Sequence, residues 1–316
     1  MSGSVLITGG AGFIGSHIAE AYTAAGWSVT CLDDLSRGKR EQVPASAGFV
    51  KADVRSKDAF TAIADGKFDV VIHMAAQIDV RISVDEPALD ADINLVGFAN
   101  ILSGVTAGKT KRVVFASSGG VVYGDPAILP TPEPTANLPI SPYGVSKLAG
   151  EHYLRVLGQL HGFEGVALRY SNVYGPRQDP KSEAGVVSIF VSRLLSDKPL
   201  TIFGDGKQTR DYVFVKDVAN ANLLAGTVNV SRGDRLDVPA FNIGTGTETS
   251  VNELAAHVGR SIGRTPVIEY AAPRAGELFR SCLDVSKAAR ELKWTPQVPF
   301  DAGMKQLAAW FEGTQR

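Results

Sequence analysis

The chain has 316 residues, is 44% hydrophobic and 21% charged, and carries a net charge of −1 at pH 7. That length allows one large or two medium domains with a sizeable core. The near-neutral balance excludes a global field that would draw nucleic acid or an anionic membrane surface, so any anionic ligand must be held by local groups.

The two cysteines, Cys31 and Cys282, sit in no metal-ligand or CxxC spacing. The sequence therefore predicts no metal site, no disulfide framework and a reducing cytoplasm. The first ten residues, MSGSVLITGG, lack a basic region ahead of a long apolar stretch, and no apolar run approaches ~18 residues. Neither a signal peptide nor a membrane span is expected.

The first 170 residues alternate short apolar runs with helical patterns. Strands are expected at 5–8 (VLIT), 28–32 (SVTCL), 49–52, 70–74 (VVIHM), 112–116 and 166–169 (VALR). A helix over 13–25 should stop at Gly26, and a long one should run over 143–161. Two-sided apolar strands alternating with helices predict an α/β fold, a Rossmann-type doubly wound parallel sheet over 1–171. Beyond Asn172, proline and glycine punctuate shorter elements, and a smaller α/β substrate lobe is expected over 172–316. Segments near 206–235 are expected to return to the first domain. TSVNE (249–253) reads as a capping-box entry to a helix, and the last fifteen residues as an amphipathic closing helix.

TGGAGFIG (8–15) sets Gly9, Gly12 and Gly15 in a GxxGxxG spacing between a strand and a helix. Glycines there allow a tight turn and let a pyrophosphate approach the helix N-terminus, where free N–H groups and the dipole favour anions. Asp33 follows at the end of the second strand, where a carboxylate accepts from ribose hydroxyls and repels a 2′-phosphate. The expected cofactor is NAD rather than NADP, although Arg37 and Lys39 lie nearby. SSGG (117–120) then offers hydroxyls at a strand end. SPYGVSK (141–147) offers Tyr143 and Lys147 one helical turn apart. An unperturbed phenol titrates near ~10. Lys147 and a positive nicotinamide together are expected to lower Tyr143 by roughly three units, ~4 kcal/mol, making it a base at neutral pH.

These motifs resemble the extended short-chain dehydrogenase/reductases, and within them the UDP-glucose 4-epimerase family, over nearly the whole chain. The matches are TGGAGFIGSH (8–17), DDLSRGK (33–39), ADV (52–54), HMAAQ (73–77), SSGGVVYG (117–124), SPYGVSK (141–147), RYSNVYGPRQDP (169–180), IFGDGKQTRDYVFVKDVA (202–219) and PRAGE (273–277). The resemblance implies a tightly bound NAD held by Gly9, Gly12, Phe13, Ile14, Gly15, Asp33, Asp34 and Ser36. Asp53 and Val54 would flank the adenine, with Ala75, Ala76, Gln77, Asn94, Ser117, Tyr143 and Lys147 lining the rest of the cofactor channel. It implies that Asn172, Arg210 and Arg274 meet the substrate diphosphate, Glu277 the uridine ribose and Val187 the uracil. Two arginines in irregular loops of a neutral protein suit a diphosphate.

The sequence departs from the family at Gly119, where many members carry the catalytic Ser or Thr. The hydroxyl must then come from Ser118, or from Ser117. The same stretch has Gly120 and Val121 where related dehydratases and decarboxylases carry acids. With no extra acid or base, elimination and decarboxylation lose their catalyst, while oxidation followed by re-reduction needs none. The expected activity is 4-epimerisation of a UDP-hexose through a 4-keto sugar, with UDP-glucose and UDP-galactose first. Ser281, where some epimerases have a bulky Tyr, predicts room for an N-acetyl group at C2. A UDP-glucuronate 4-epimerase is the alternative, its carboxylate met by Arg177 or Lys181. A redox-sensing NAD-binding regulator is disfavoured because the Tyr-Lys pair is kept. In this family, helices like those around 90–107 and 143–161 pair into a homodimer, with Leu148, Leu154 and Leu157 as candidate interface or core residues.

Overall fold

The computed structural model describes residues 3–314 apart from 181–184, 232, 234 and 274–277. Its centre is a seven-stranded, wholly parallel sheet. In chain order the strands are β1 (Ser4–Thr8), β2 (Ser28–Asp33), β3 (Gly48–Lys51), β4 (Val70–His73), β5 (Arg112–Ser118), β6 (Glu164–Tyr170) and a seventh, Ala240–Ile243. Across the sheet they run seventh-β6-β5-β4-β1-β2-β3. The order reverses between β1 and β4, so a crevice opens beyond their carboxyl ends, which is where doubly wound sheets bind ligands.

Helices cover both faces. Helix α1 (Phe13–Ala24) and a later helix, Val215–Thr227, pack together on one side, around a core of Ile7, Ile18, Tyr22, Ile72 and Phe241. Lys57–Gly66, Gly97–Gly108 and Pro142–His161 cover the other, around Leu6, Phe98, Ile101 and Leu154. Helix Val215–Thr227 thus packs on the sheet and the seventh strand lies within it, although both come after Asn172 in the chain.

The remaining elements form a smaller lobe. Three two-stranded pairings frame it: Asn172–Tyr174 with Tyr212–Phe214, Leu200–Phe203 with Ile268–Ala271, and Thr209–Arg210 with Thr249–Ser250. Its own core joins helices Val186–Leu195, Val251–Ile262 and Phe300–Thr314 through Phe190, Leu254, Leu307 and Phe311. The capping box forms as expected: Ser250 accepts from the Glu253 N–H while Glu253 accepts from the Ser250 N–H. Both cysteines are buried and unbridged. Among the described residues no helix is long and apolar enough to cross a membrane, and no cluster suits a metal ion.

Candidate active site

The dinucleotide cradle begins where β1 ends. Gly9 has φ 66°, and a Cβ there would sit 2.8 Å from the Ala75 nitrogen; a Cβ on Gly15 would sit 2.1 Å from the Gly9 oxygen. Only glycine lets the chain fold this tightly. Gly12 is the N-cap of α1 and no side chain caps the helix, so its first N–H groups are not taken by a capping side chain. Phe13, Ile14 and Gly15 form that first turn. Asp33, at the end of β2, accepts from the Ala11 N–H at 3.0 Å and the Leu35 N–H at 2.8 Å. It is buried, and desolvation raises its carboxyl above the ordinary value despite those two bonds. Asp34 is occupied locally, accepting from the Ser36 N–H and hydroxyl. A glycine cradle, an uncapped helix N-terminus and a carboxylate at the second strand end together fit a dinucleotide.

The channel continues along β4. The Thr8 hydroxyl is hydrogen bonded to His73 Nδ1 at 2.9 Å and accepts from the Met74 and Ala75 N–H groups, fastening the two strand ends at the crevice. Ala76 follows, half-buried. The Gln77 N–H donates to the Asn94 side chain at 2.9 Å, and Asn94 donates back to the Gln77 carbonyl at 3.0 Å. Beyond the end of β3, Asp53 pairs with Arg55, which also meets Asp92; this lowers the Asp53 carboxyl. Val54 is buried against Gly97.

Tyr143 and Lys147 lie on helix Pro142–His161, which Ser141 caps by accepting from the Gly144 N–H. Lys147 is buried and donates to the Ala116 carbonyl at 2.9 Å, tying the helix to β5 two residues before Ser118. Its ammonium lies 5.6 Å from the Tyr143 ring centroid and 5.1 Å from that of Phe115. Burial pulls Lys147 down to about 8, against the opposing pull of the Asp90 carboxylate. The expected lowering of Tyr143 invokes a bound nicotinamide as well as Lys147, and the protein alone shows the opposing forces. Burial pushes the Tyr143 phenol above the ordinary value, and the Asp90 charge adds to the rise.

The two serines part ways. Ser117 is buried and donates to Glu151 Oε1 at 2.5 Å. Glu151 also holds Arg169, which is fully buried, through bonds of 2.9 and 2.7 Å; Arg169 in turn donates to Tyr123 at 2.8 Å. Tyr123 passes the chain on to Asn242 on the seventh strand. Ser117 is thus a structural anchor. Ser118 is half-buried and precedes the short helix Gly119–Val122 without capping it by a side-chain bond. Its hydroxyl has no protein hydrogen-bond partner among the described residues. Gly119 has a steric cause: a Cβ there would sit 2.6 Å from Leu283 Cδ1. Leu283 is buried and bridges to Thr131, so a larger residue at this position would have to displace the Leu283 side chain.

In the smaller lobe, Asn172 opens the strand paired with Tyr212, and its N–H donates to the Asp211 carbonyl. Arg210 pairs with Thr249 and donates to the Thr209 carbonyl. Ser281 is buried, its N–H donating to that same carbonyl oxygen at 3.2 Å. Val187 is buried in the lobe's own core, so a ligand could meet its backbone but not its side chain. Arg274, Glu277 and Lys181 lie outside the described residues. Arg177 is turned away from the role considered for it: it donates to Ser16 at 3.0 Å and pairs with Glu20, both on α1.

Sequence reading missed the groups that hold these residues. Asp90, Glu151, Arg169 and Asp211 are buried acids and bases that take no part in the short motifs' own chemistry. Asp211 accepts from Thr245, Gly246 and Leu283, joining the two lobes. Tyr123, Arg169 and Asp211 sit inside matched motifs, and Glu151 one turn past Lys147, which was the available signal.

A family model described as the NAD dependent epimerase/dehydratase family matches residues 5–244. A UDP-glucose 4-epimerase of Mycolicibacterium smegmatis is 42% identical over 97% of each chain. Among solved structures, a UDP-glucose 4-epimerase of Thermotoga maritima with UDP-glucose superposes with a TM-score of 0.92 at 41% identity, covering 99% of this chain and 100% of that one. A UDP-glucose 4-epimerase of Thermus thermophilus in complex with NAD gives 0.91 at 42% identity, covering 98% and 99%. The chain belongs to the NAD-dependent epimerase/dehydratase family.

Proposed function

We propose that this protein is a NAD-dependent UDP-hexose 4-epimerase that interconverts UDP-glucose and UDP-galactose through a transient 4-keto sugar. The observation that carries the reading is a half-buried Tyr143 next to a buried Lys147 that is tied to β5 two residues before Ser118, with Gly120 and Val121 in place of any further acid. NAD, when bound, supplies reversible hydride acceptance. Residues 1–171 would hold it, through the glycine turn, Asp33 and the Gln77–Asn94 clamp, and residues 172–316 would hold the sugar nucleotide.

Tyr143 would take the proton from the sugar 4-hydroxyl and later return it to that same oxygen, after the 4-keto sugar has turned to present the other face of C4. Ser118 hydrogen bonds the same oxygen. Lys147 would stabilise the phenolate; burial, with the Asp90 charge added, leaves Tyr143 high in the protein alone, so its activation would rely on the further positive charge of the cofactor ring. Asn172, Arg210 and Arg274 meet the diphosphate, and Glu277 the ribose. Ser281 leaves space at C2, which supports acceptance of UDP-N-acetylhexosamines. The uronate reading stands behind, because Arg177 is committed to α1.

We place the enzyme in the cytoplasm, consistent with two buried free cysteines, and as a homodimer. Leu154 is buried core, and Leu148 and Leu157 are partly buried against inward clusters, which supports the core alternative for these three. The same helix instead exposes Val145, Tyr153, Val156 and Leu160, and Val96 is exposed on the preceding helical run. That apolar face supports pairing with a second copy.

The test is incubation of purified protein, with no added cofactor, with UDP-galactose, UDP-N-acetylgalactosamine and UDP-galacturonate separately, followed by NMR. Conversion of UDP-galactose is expected. No conversion of any sugar, even with NAD added, would overturn the reading.

A further inference from the structure

Asp90 is a fully buried carboxylate on the short helix Pro87–Ala91, packed beneath helix Pro142–His161. Three neutral groups donate to it: Gln77 Nε2 at 3.1 Å and Asn94 Nδ2 at 2.9 Å to one oxygen, and the Ser146 hydroxyl at 2.6 Å to the other. Such a set of donors is the environment of an ionised carboxylate, which only accepts. No cation lies within salt-bridge distance of it among the described residues. The residues it grips are the cofactor clamp, Gln77 and Asn94, and the neighbour of Lys147.

We propose that Asp90 is a positioning residue of the active site: its carboxylate fixes the Gln77–Asn94 clamp and the Lys147 turn, and its charge keeps the buried Lys147 ammonium in place. This rests on the reading of Tyr143 and Lys147 as the catalytic pair. The titratable groups facing one another here are Asp90 from its own helix, Tyr143 and Lys147 from the long helix, and His73 from β4, which is buried and held neutral by desolvation and by Lys147. Phe115 from β5 is apolar. Among the described residues, Asp90 is the negative charge that raises both Tyr143 and Lys147. It favours the protonated form of both, so removing it should let both lose protons at lower pH.

Asp90→Asn is nearly isosteric. Its oxygen can still accept from Gln77 and Asn94, while its amide can donate to the Ser146 hydroxyl. Two readouts are compared with wild type. The first is the pH profile of kcat/KM for the sugar that the wild-type holoenzyme converts. Both limits are expected to move to lower pH by roughly one unit, the size of a nearby-charge effect. The second is independent of turnover: phenolate absorbance against pH in the NAD-free protein, with the matching Tyr143→Phe protein subtracted. Its rise should begin at lower pH in Asp90→Asn. Ser146→Ala, which removes a bond but keeps the charge, should leave both curves where they were. If Asp90→Asn does not fold, Asp90→Ser replaces it in the same measurements. A folded, charge-free variant with unmoved curves, or an equal shift in Ser146→Ala, would overturn the proposal. A wild-type protein that converts no sugar would instead count against the epimerase reading, with the absorbance titration still deciding on Asp90.

Discussion

In the sheet-bearing half, the side chains at the reacting end are anchored by buried partners. Lys147 is tied to the β5 backbone, Ser117 to Glu151 and Arg169, Gln77 and Asn94 to Asp90. In the smaller lobe, Asn172, Arg210 and Ser281 stand on or beside strands of two or three residues, placed mainly by backbone bonds. The first arrangement suits proton and hydride transfer, where small displacements of the reacting groups are costly. The second suits recognition, where one scaffold accepts several sugars by changing a few side chains.

Substitutions can break that contrast. The largest effect is expected from Tyr143→Phe, which removes the proposed acid–base group. Turnover should fall by ~10³–10⁴-fold, at the upper end for general acid–base catalysis, with NAD still bound. Steady-state rates together with the nicotinamide released on denaturation would check it. Arg169→Met leaves Glu151 buried without its cation and should cost ~3–5 kcal/mol in stability, read by denaturant unfolding. Loss of turnover without loss of stability would deny the network its anchoring role. Ser118→Ala should lower kcat by ~10²-fold with little change in stability. Ser117→Ala should do the reverse, destabilising by ~1–3 kcal/mol as it frees a buried acceptor. If the two serines exchanged these outcomes, the assignment of the hydroxyl would be wrong. The smallest effect belongs to the lobe: Arg210→Ala should raise KM about tenfold and leave kcat within a factor of about three, as loss of one charged contact made equally before and during reaction.

The elements that carry a strong local pattern are legible in the sequence. The glycine turn, Asp33, and the Tyr143–Lys147 spacing are set by neighbours within one turn or one strand, so a short window contains their physics. Apolar patterning predicts that β5 stops at Ala116, because the serines are not apolar. It runs to Ser118 because Ser117 and Ser118 continue the register with Arg169 and Tyr170 of β6. The buried acids are not legible, since Asp90 meets Ser146 across 56 residues and Glu151 meets Ser117 across 34. Nothing in a local window distinguishes such a carboxylate from a solvated one. The same holds for Arg177, whose partners on α1 lie 157 and 161 residues away, and for Leu154, inward on a helix that is apolar on more than one side. The rise of Tyr143 is hidden for a related reason: spacing shows the nearby lysine but not the desolvation that opposes it.

The central claim is that the hydrogen at C4 leaves and returns as hydride held within the enzyme. The most direct measurement is conversion of UDP-galactose to UDP-glucose in D₂O, followed by NMR of the product at C4. Conversion with protium retained at C4 is the predicted result. Deuterium entering C4 would mean that a proton exchanging with solvent is abstracted from carbon, and would contradict the assignment of Tyr143 as a base acting on oxygen.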